Sequence, residues 1–142
     1  MNPNYRHTIT LYNCLMAADS PDRRDHWHRT VLTGCYYKAM ISRTDSGTSA
    51  GVNNTYAARI PADPRYLPYP SWAELSEEER SWYFTVNLDD VVVYGECLEE
   101  ITGVSGQTAV QLLKRHKPDA FKVTACSDNT DFPVEKHIRL GG

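Results

Sequence analysis

Residues 26 to 40 read HWHRTVLTGCYYKAM, a run rich in β-branched and aromatic side chains whose pattern is that of one very long β-strand. At about 3.3 Å per residue such a strand reaches about 50 Å, well past the common strand length of about 3–10 residues. Either the strand bends sharply, or its far end leaves the domain. Trp27, Val31, Cys35, Tyr37, Ala39 and Ile41 share one parity and make one face the more apolar, while Leu32 and Tyr36 fall on the other with His26, His28, Thr30 and Lys38. Gly34 stands in the middle, where a residue without a side chain marks a bulge or a bend.

The stretch that follows, Ser42 to Asn54, holds two Gly, three Ser and two Thr, with Ala50 and Val52 as its apolar members. Composition makes it a flexible loop. TYAARI, residues 55 to 60, returns as a strand, so residues 35 to 60 form an extended hairpin arm with a flexible tip at 42 to 54. PADPRYLPYP, residues 61 to 70, carries four prolines and is extended and stiff.

Elsewhere, Ile9 and Leu11 alternate with Thr8, Thr10 and Tyr12, which predicts a first strand over residues 5 to 13, and AADSPDRRD at 17 to 25 is a hairpin loop. Ser71 and Glu74 have the spacing of a capping box and predict a short surface helix over 72 to 80, pinned by Trp72 and Leu75. Residues 82 to 86 and 91 to 94 read as strands joined around Asn87-Leu88-Asp89-Asp90. Ser105 caps a helix running to Lys117, with Ala109, Val110, Leu112 and Leu113 on its core-facing stripe and Pro118 as its stop. Residues 121 to 126 and 134 to 140 are the last strands, on either side of SDNTDFP. Seven strands with short connections predict a mainly β protein, a small antiparallel β-barrel or sandwich with one long protruding hairpin and one or two short peripheral helices.

A chain of 142 residues with 41% hydrophobic residues suits a single domain. The net charge of −3 gives no reason to expect sequence-independent binding to nucleic acid. No stretch approaches the roughly 18 apolar residues of a spanning helix. Cys14, Cys35, Cys97 and Cys126 form no CxxC pair and read as reduced, mostly buried apolar groups.

Chemistry is hard to find in this sequence. His26 and His28 lie one strand-step apart on one face, a spacing that metal sites use, with Asp25, His7 or His137 as further candidates; half-exposed strand histidines are the plainer reading. Asp89 and Asp90 suit a solvated turn better than a catalytic pair. Lys114-Arg115-His116-Lys117 is the one dense basic run, in a last helical turn where positive charge complements the macrodipole. No GxSxG turn and no Gly-rich phosphate loop is present. The expectation is a non-enzyme without cofactor, catalytic residues or metal, whose long strand is completed by another copy or another protein.

The order of features carries a resemblance. The strand HTITLYN, then WHRTVLTGCYYKA, ARIP, a proline-rich link, DDVVVYGE, FKVTACSDNT and a terminal KHIRLGG resemble small tailed-phage and prophage head–neck proteins. In outline they are also similar to head–tail joining, or head-closure, proteins. The resemblance implies a structural virion component: a head–tail connector forming a ring between portal and tail. It also implies assembly in the host bacterial cytoplasm, with DNA passing through without sequence-specific binding and no membrane contact. Its partners would be other copies of itself, portal or adaptor proteins and tail-side proteins. Partner-binding positions would be Arg43, Thr44, Asp45, Ser46 and Gly47 on the outgoing side of the arm, with Val52 and Asn53 on the return. Lys114, Arg115 and Lys117 at the basic helix end are a second candidate surface. A minor capsid or decoration protein is the alternative, and a small metal-dependent hydrolase, with His26 and His28 gathered in a pocket, the third. The middle segment at 61 to 82 and the helix at 105 to 117 depart from the broader pattern.

Overall fold

In the computed structural model, residues 5–46, 49–131 and 136–142 are described, with backbone alone over 41–46 and 49–54. Seven strands form one antiparallel sheet: β1 (His7–Leu15), β2 (His26–Ser46), β3 (Ser49–Pro61), β4 (Val91–Tyr94), β5 (Ala120–Lys122), β6 (Ala125–Asp128) and β7 (His137–Gly141). Their order is β5-β4-β1-β2-β3-β7-β6. β5 and β6 lie at opposite edges of the sheet yet are separated in the chain only by Val123 and Thr124, so the sheet curls into a half-barrel whose two margins approach each other. Three short helices, α1 (Tyr69–Ala73), α2 (Glu77–Arg80) and α3 (Ala109–His116), complete the fold. The expected architecture is therefore present, long hairpin included.

β2 resolves the question of its own length by doing both things. From His26 to Cys35 it pairs with β1, and from Tyr36 to Ser46 with β3. Between Ile9↔Leu32 and His7↔Cys35 the register slips, and Gly34 at φ 67° occupies the left-handed conformation that such a bulge needs. The bulge also reverses which parity faces inward. Leu32 is buried ahead of it, Cys35 and Tyr37 beyond it, so the single apolar face read from Trp27 to Ile41 does not exist. Trp27 packs instead on the opposite side of the sheet.

The concave side holds the larger core: Ile9, Leu11, Leu32, Tyr37, Phe84, Phe121 and Leu140 are among its members, drawn from six of the seven strands and the loops between them. Tyr37 stacks on Tyr94 at 4.8 Å and Tyr56 on Phe121 at 5.3 Å between ring centroids. On the convex side Tyr12, Val91 and Val93 are covered by Cys97, Ile101 and Leu112. β1 and β4 are thus buried on both faces, which is why VVVY shows no alternation.

Several elements differ from expectation for identifiable reasons. The loop expected at 42 to 54 instead continues the ladder, from Ser42↔Asn53 to Ser46↔Ser49, with residues 47–48 outside the described part. The helix expected at 72 to 80 is two helices. The working capping box is Ser76 with Glu79, because Pro70 in the first turn of α1 starts that helix ahead of Ser71. Residues 82 to 86 make no strand: Tyr66↔Phe84 is an isolated bridge, and Trp82 is exposed. The strand expected at 121 to 126 is split between the two edges. α3 starts later than expected, with Thr108 and Gln111 as its capping box, and Val110 faces out while Leu112 is buried. The last strand begins at His137; residues 134–135 lie outside the described part.

Candidate functional site

The arm is built from backbone geometry. β1 ends its pairing with β2 at Cys35, and β7 pairs with β3 only over Ala57–Pro61. Among the described residues, the stretches 40–46 and 49–55 therefore pair with each other alone. Arg43, Thr44, Asp45, Ser46, Val52 and Asn53 lie in this two-stranded part; their side chains, and Gly47 altogether, are outside the described part. At the arm's root Lys38, Ala39 and Met40 are exposed, and Tyr37 N–H donates to His7 Nδ1 at 3.2 Å.

The basic helix end divides. Lys114 and Lys117 are exposed and border a shallow groove of ≈ 310 Å³ with Tyr56 and Phe121. Arg115 is engaged within the chain, its Nε donating to Glu99 Oε1 at 2.9 Å and its Nη1 to the Gly106 carbonyl at 2.8 Å.

His26 and His28 line one cleft of ≈ 490 Å³ but are differently employed. His26 Nε2 lies 2.8 Å from both carboxylate oxygens of Asp22. The His28 ring stands edge-on to Trp72 at 5.3 Å, and burial first, then the nearby Arg80, hold its pKa below the usual imidazole value. The two histidines thus share the cleft while each holds a different partner, Asp22 for His26 and Trp72 for His28. Asp89 is exposed as expected, whereas Asp90 is only 1% exposed, contrary to the solvated turn read from sequence. Its carboxylate accepts hydrogen bonds from Asn13 Nδ2 and the Asn87 N–H at 2.9 Å and from the Cys14 N–H at 3.2 Å.

A cluster the sequence reading missed lies on the convex side. Cys97 and Glu99 sit on the loop after β4, and His116 is the last residue of α3. Cys97 Sγ is 3.6 Å from His116 Nε2 and 3.8 Å from Glu99 Oε2, and that same Nε2 contacts Oε2 directly. The loop is pinned from below: the Cys97 N–H donates to Thr10 Oγ1 at 2.8 Å, Arg29 Nη1 donates to the Cys97 carbonyl at 2.9 Å, and the Tyr12 hydroxyl donates to the Glu99 carbonyl at 2.7 Å. His116 foremost, with Arg115, holds the Glu99 carboxyl below its ordinary pKa. Among the described residues, this is the group of three or more His, Cys, Asp or Glu donors close enough to share an ion.

A family model described as "Family of unknown function (DUF6751)" matches residues 4–142. The chain belongs to this family. Comparison with curated proteins and with solved structures gives no match. The DUF6751 match spans the half-barrel, the hairpin and α3 alike, so all three belong to one family unit. No helix of the described residues is long and apolar enough to cross a membrane.

The four thiols are free, but less uniformly buried than the sequence reading has them: Cys35 and Cys97 are buried, Cys14 half-buried and Cys126 exposed. Burial pushes the Cys14 and Cys35 thiols up to about 12 and also raises the Cys126 thiol, so exposure is what sets Cys126 apart. With a thiol reagent at pH 8, Cys126 is expected to give the single fast phase, absent in Cys126→Ser, and Cys35 to react only on unfolding. A fast phase that survives Cys126→Ser contradicts this assignment.

Proposed function

We propose that the protein is a structural assembly subunit, a head–tail connector of a tailed phage that forms a ring through its β2-β3 arm. The observation that carries this is that, among the described residues, the arm has no third strand. Residues 40–46 extend about 20 Å at about 3.4 Å per residue with a ladder on one side only. An isolated two-stranded hairpin is marginally stable in water, and its open edges are templates for pairing with another chain. A neighbouring subunit supplies what the arm lacks, by adding a strand or by covering a face. β6 offers a second open margin, with all four of its residues exposed. The net charge of −3 suits a channel through which DNA slides, since a wall of clustered Lys and Arg would hold it.

Replacing residues 44–51 with Asn-Gly tests this cleanly. Arg43 and Val52 face each other across the ladder, so a two-residue turn closes the shortened hairpin without disturbing its root. The variant is expected to keep the circular dichroism of the parent and a melting temperature within about 5 °C, since loop tips contribute little to a core. It is expected to lose the ring, read by native mass spectrometry and negative-stain images of parent and variant at matched concentration. Rings of unchanged size from the shortened chain, or a parent that stays monomeric alone and with phage portal and tail-side proteins, overturn the connector role.

A further inference from the structure

We propose that Cys97 Sγ, Glu99 Oε2 and His116 Nε2 bind a zinc ion, with solvent as its fourth ligand. The geometry that carries this is the closeness of the three donor atoms, whose direct Glu99–His116 contact opens to admit the ion. They lie within 4.8 Å of one another. With metal–sulfur and metal–nitrogen bonds of about 2.3 and 2.0 Å at a tetrahedral angle, sulfur and nitrogen stand about 3.5 Å apart. Sγ and Nε2 are 3.6 Å apart. A thiolate, a carboxylate and a neutral imidazole sum to two negative charges, which balance a divalent cation. The soft sulfur favours zinc over magnesium or calcium.

Two other uses of these side chains fit less well. In a nucleophilic triad the carboxylate orients the imidazole through the ring nitrogen that does not meet the nucleophile. Here Glu99 and Cys97 both address Nε2. A plain ion pair between Glu99 and His116 gives the Cys97 thiol only a long contact to Glu99 Oε2 at 3.8 Å, although its backbone is fixed by Thr10 and Arg29. Outer contacts that orient ligands are what a metal site needs, and Arg115 on the second Glu99 oxygen supplies another. Cys97 is 5% exposed whereas His116 and Glu99 are only half-buried, so one side of the triangle is open to water for the fourth position. An ion there fastens the loop after β4 to the end of α3, the two pieces that cover the convex side of β1 and β4. The site stands apart from the arm, and its fate does not depend on the connector role.

The test uses the full chain, stripped with a chelator and titrated with zinc by calorimetry at pH 7, and separately loaded with cobalt(II). Binding of one ion per chain is expected, with proton release as the thiol ionises. A near-ultraviolet thiolate-to-cobalt charge-transfer band is expected to accompany it. Outer-shell changes commonly weaken metal sites about 10–100-fold, so loss of a ligand in Cys97→Ser, Glu99→Gln or His116→Gln is expected to weaken binding by at least about 100-fold. His26→Gln is expected to leave it unchanged. Should Cys97→Ser fail to fold, His116→Gln, altered at a half-exposed ring and checked by circular dichroism, carries the same comparison. Absence of the thiolate band, binding weaker than millimolar, or stoichiometric zinc that survives His116→Gln overturns the site.

Discussion

Trp72→Ala is expected to lower stability by about 3–5 kcal/mol, the range for removing a large buried aromatic side chain. Trp72 is fully buried although it sits on a five-residue helix, so the helix holds its place through this ring. His28 meets it edge-on at 5.3 Å, Tyr69 lies at 6.0 Å, and the Arg80 guanidinium stands 5.9 Å from its centroid. Its indole N–H donates to the Tyr83 carbonyl at 3.4 Å. Arg80, itself buried, donates from Nη1 to the Ala73 carbonyl at 3.1 Å and to the Leu75 carbonyl, which satisfies the end of α1. Truncating the indole opens a cavity beneath this whole cover. For a domain of this size the cost corresponds to a fall of about 10 °C or more in melting temperature. Urea midpoints for the parent, Trp72→Ala and Trp72→Phe measure it, with the phenylalanine variant intermediate. An unchanged midpoint in Trp72→Ala contradicts the anchoring role.

Asp90→Ala is expected to cost a comparable amount and for a different reason. The substitution strands the buried Asn13 amide and the part-buried N–H groups of Cys14 and Asn87, each worth up to about 1–3 kcal/mol when left unsatisfied. Asn13 also clasps Thr85, accepting from its N–H at 3.2 Å and donating to its carbonyl at 2.6 Å, so the network ties β1 to the loop that leads into β4. Burial, the dominant influence, raises the Asp90 pKa from 3.8 to about 7 against the pull of its donors. A carboxyl whose folded pKa lies above its unfolded one favours the folded state while protonated. That contribution is complete below pH about 4 and is lost as the pH rises through about 7. The expected signature is a urea midpoint that, from pH 5 to pH 8, drops in the parent relative to Asp90→Asn, because the low pKa of His28 adds the same rising slope to both proteins. Equal slopes for the two proteins contradict the assignment.

Local chemistry made part of this fold legible and tertiary packing hid the rest. Gly34 announced its bulge because a left-handed backbone inside a strand is a strong demand on residue type. The consequence of that bulge was not legible: alternation counts residues, and one extra residue exchanges the faces beyond it, as Leu32 and Tyr37 show. Ser71-x-x-Glu74 and Ser76-x-x-Glu79 are equivalent as motifs, and only the placement of Pro70 decides between them. Residues 82 to 86 have strand composition because Phe84, Thr85 and Val86 are buried, but burial in an extended loop leaves the same mark as burial in a ladder. The burial of Asp90 is hidden in the same way, since its environment is made by Asn13 and Cys14 at the end of the neighbouring strand β1. The Cys97, Glu99 and His116 cluster carried little signal. Two of its members are a step apart on a loop, and the third sits in a basic run whose charge suited the helix end equally well. The ladder through residues 42–46 and 49–54 lies where composition favours a loop, and strand pairing overrides that preference.

The two-residue link between β5 and β6 has a bearing on biosynthesis. As the chain leaves the ribosome, β1 to β4 emerge with their concave apolar surface facing water, because Phe121, Val123, Ile138 and Leu140 all follow them in the chain. Both margins of the sheet are capped by this late segment, one by β5 and the other by β7 with β6. Closure therefore waits until β5, β6 and β7 have been made, and a nascent chain that stops short of them is an aggregation-prone species that depends on holding chaperones.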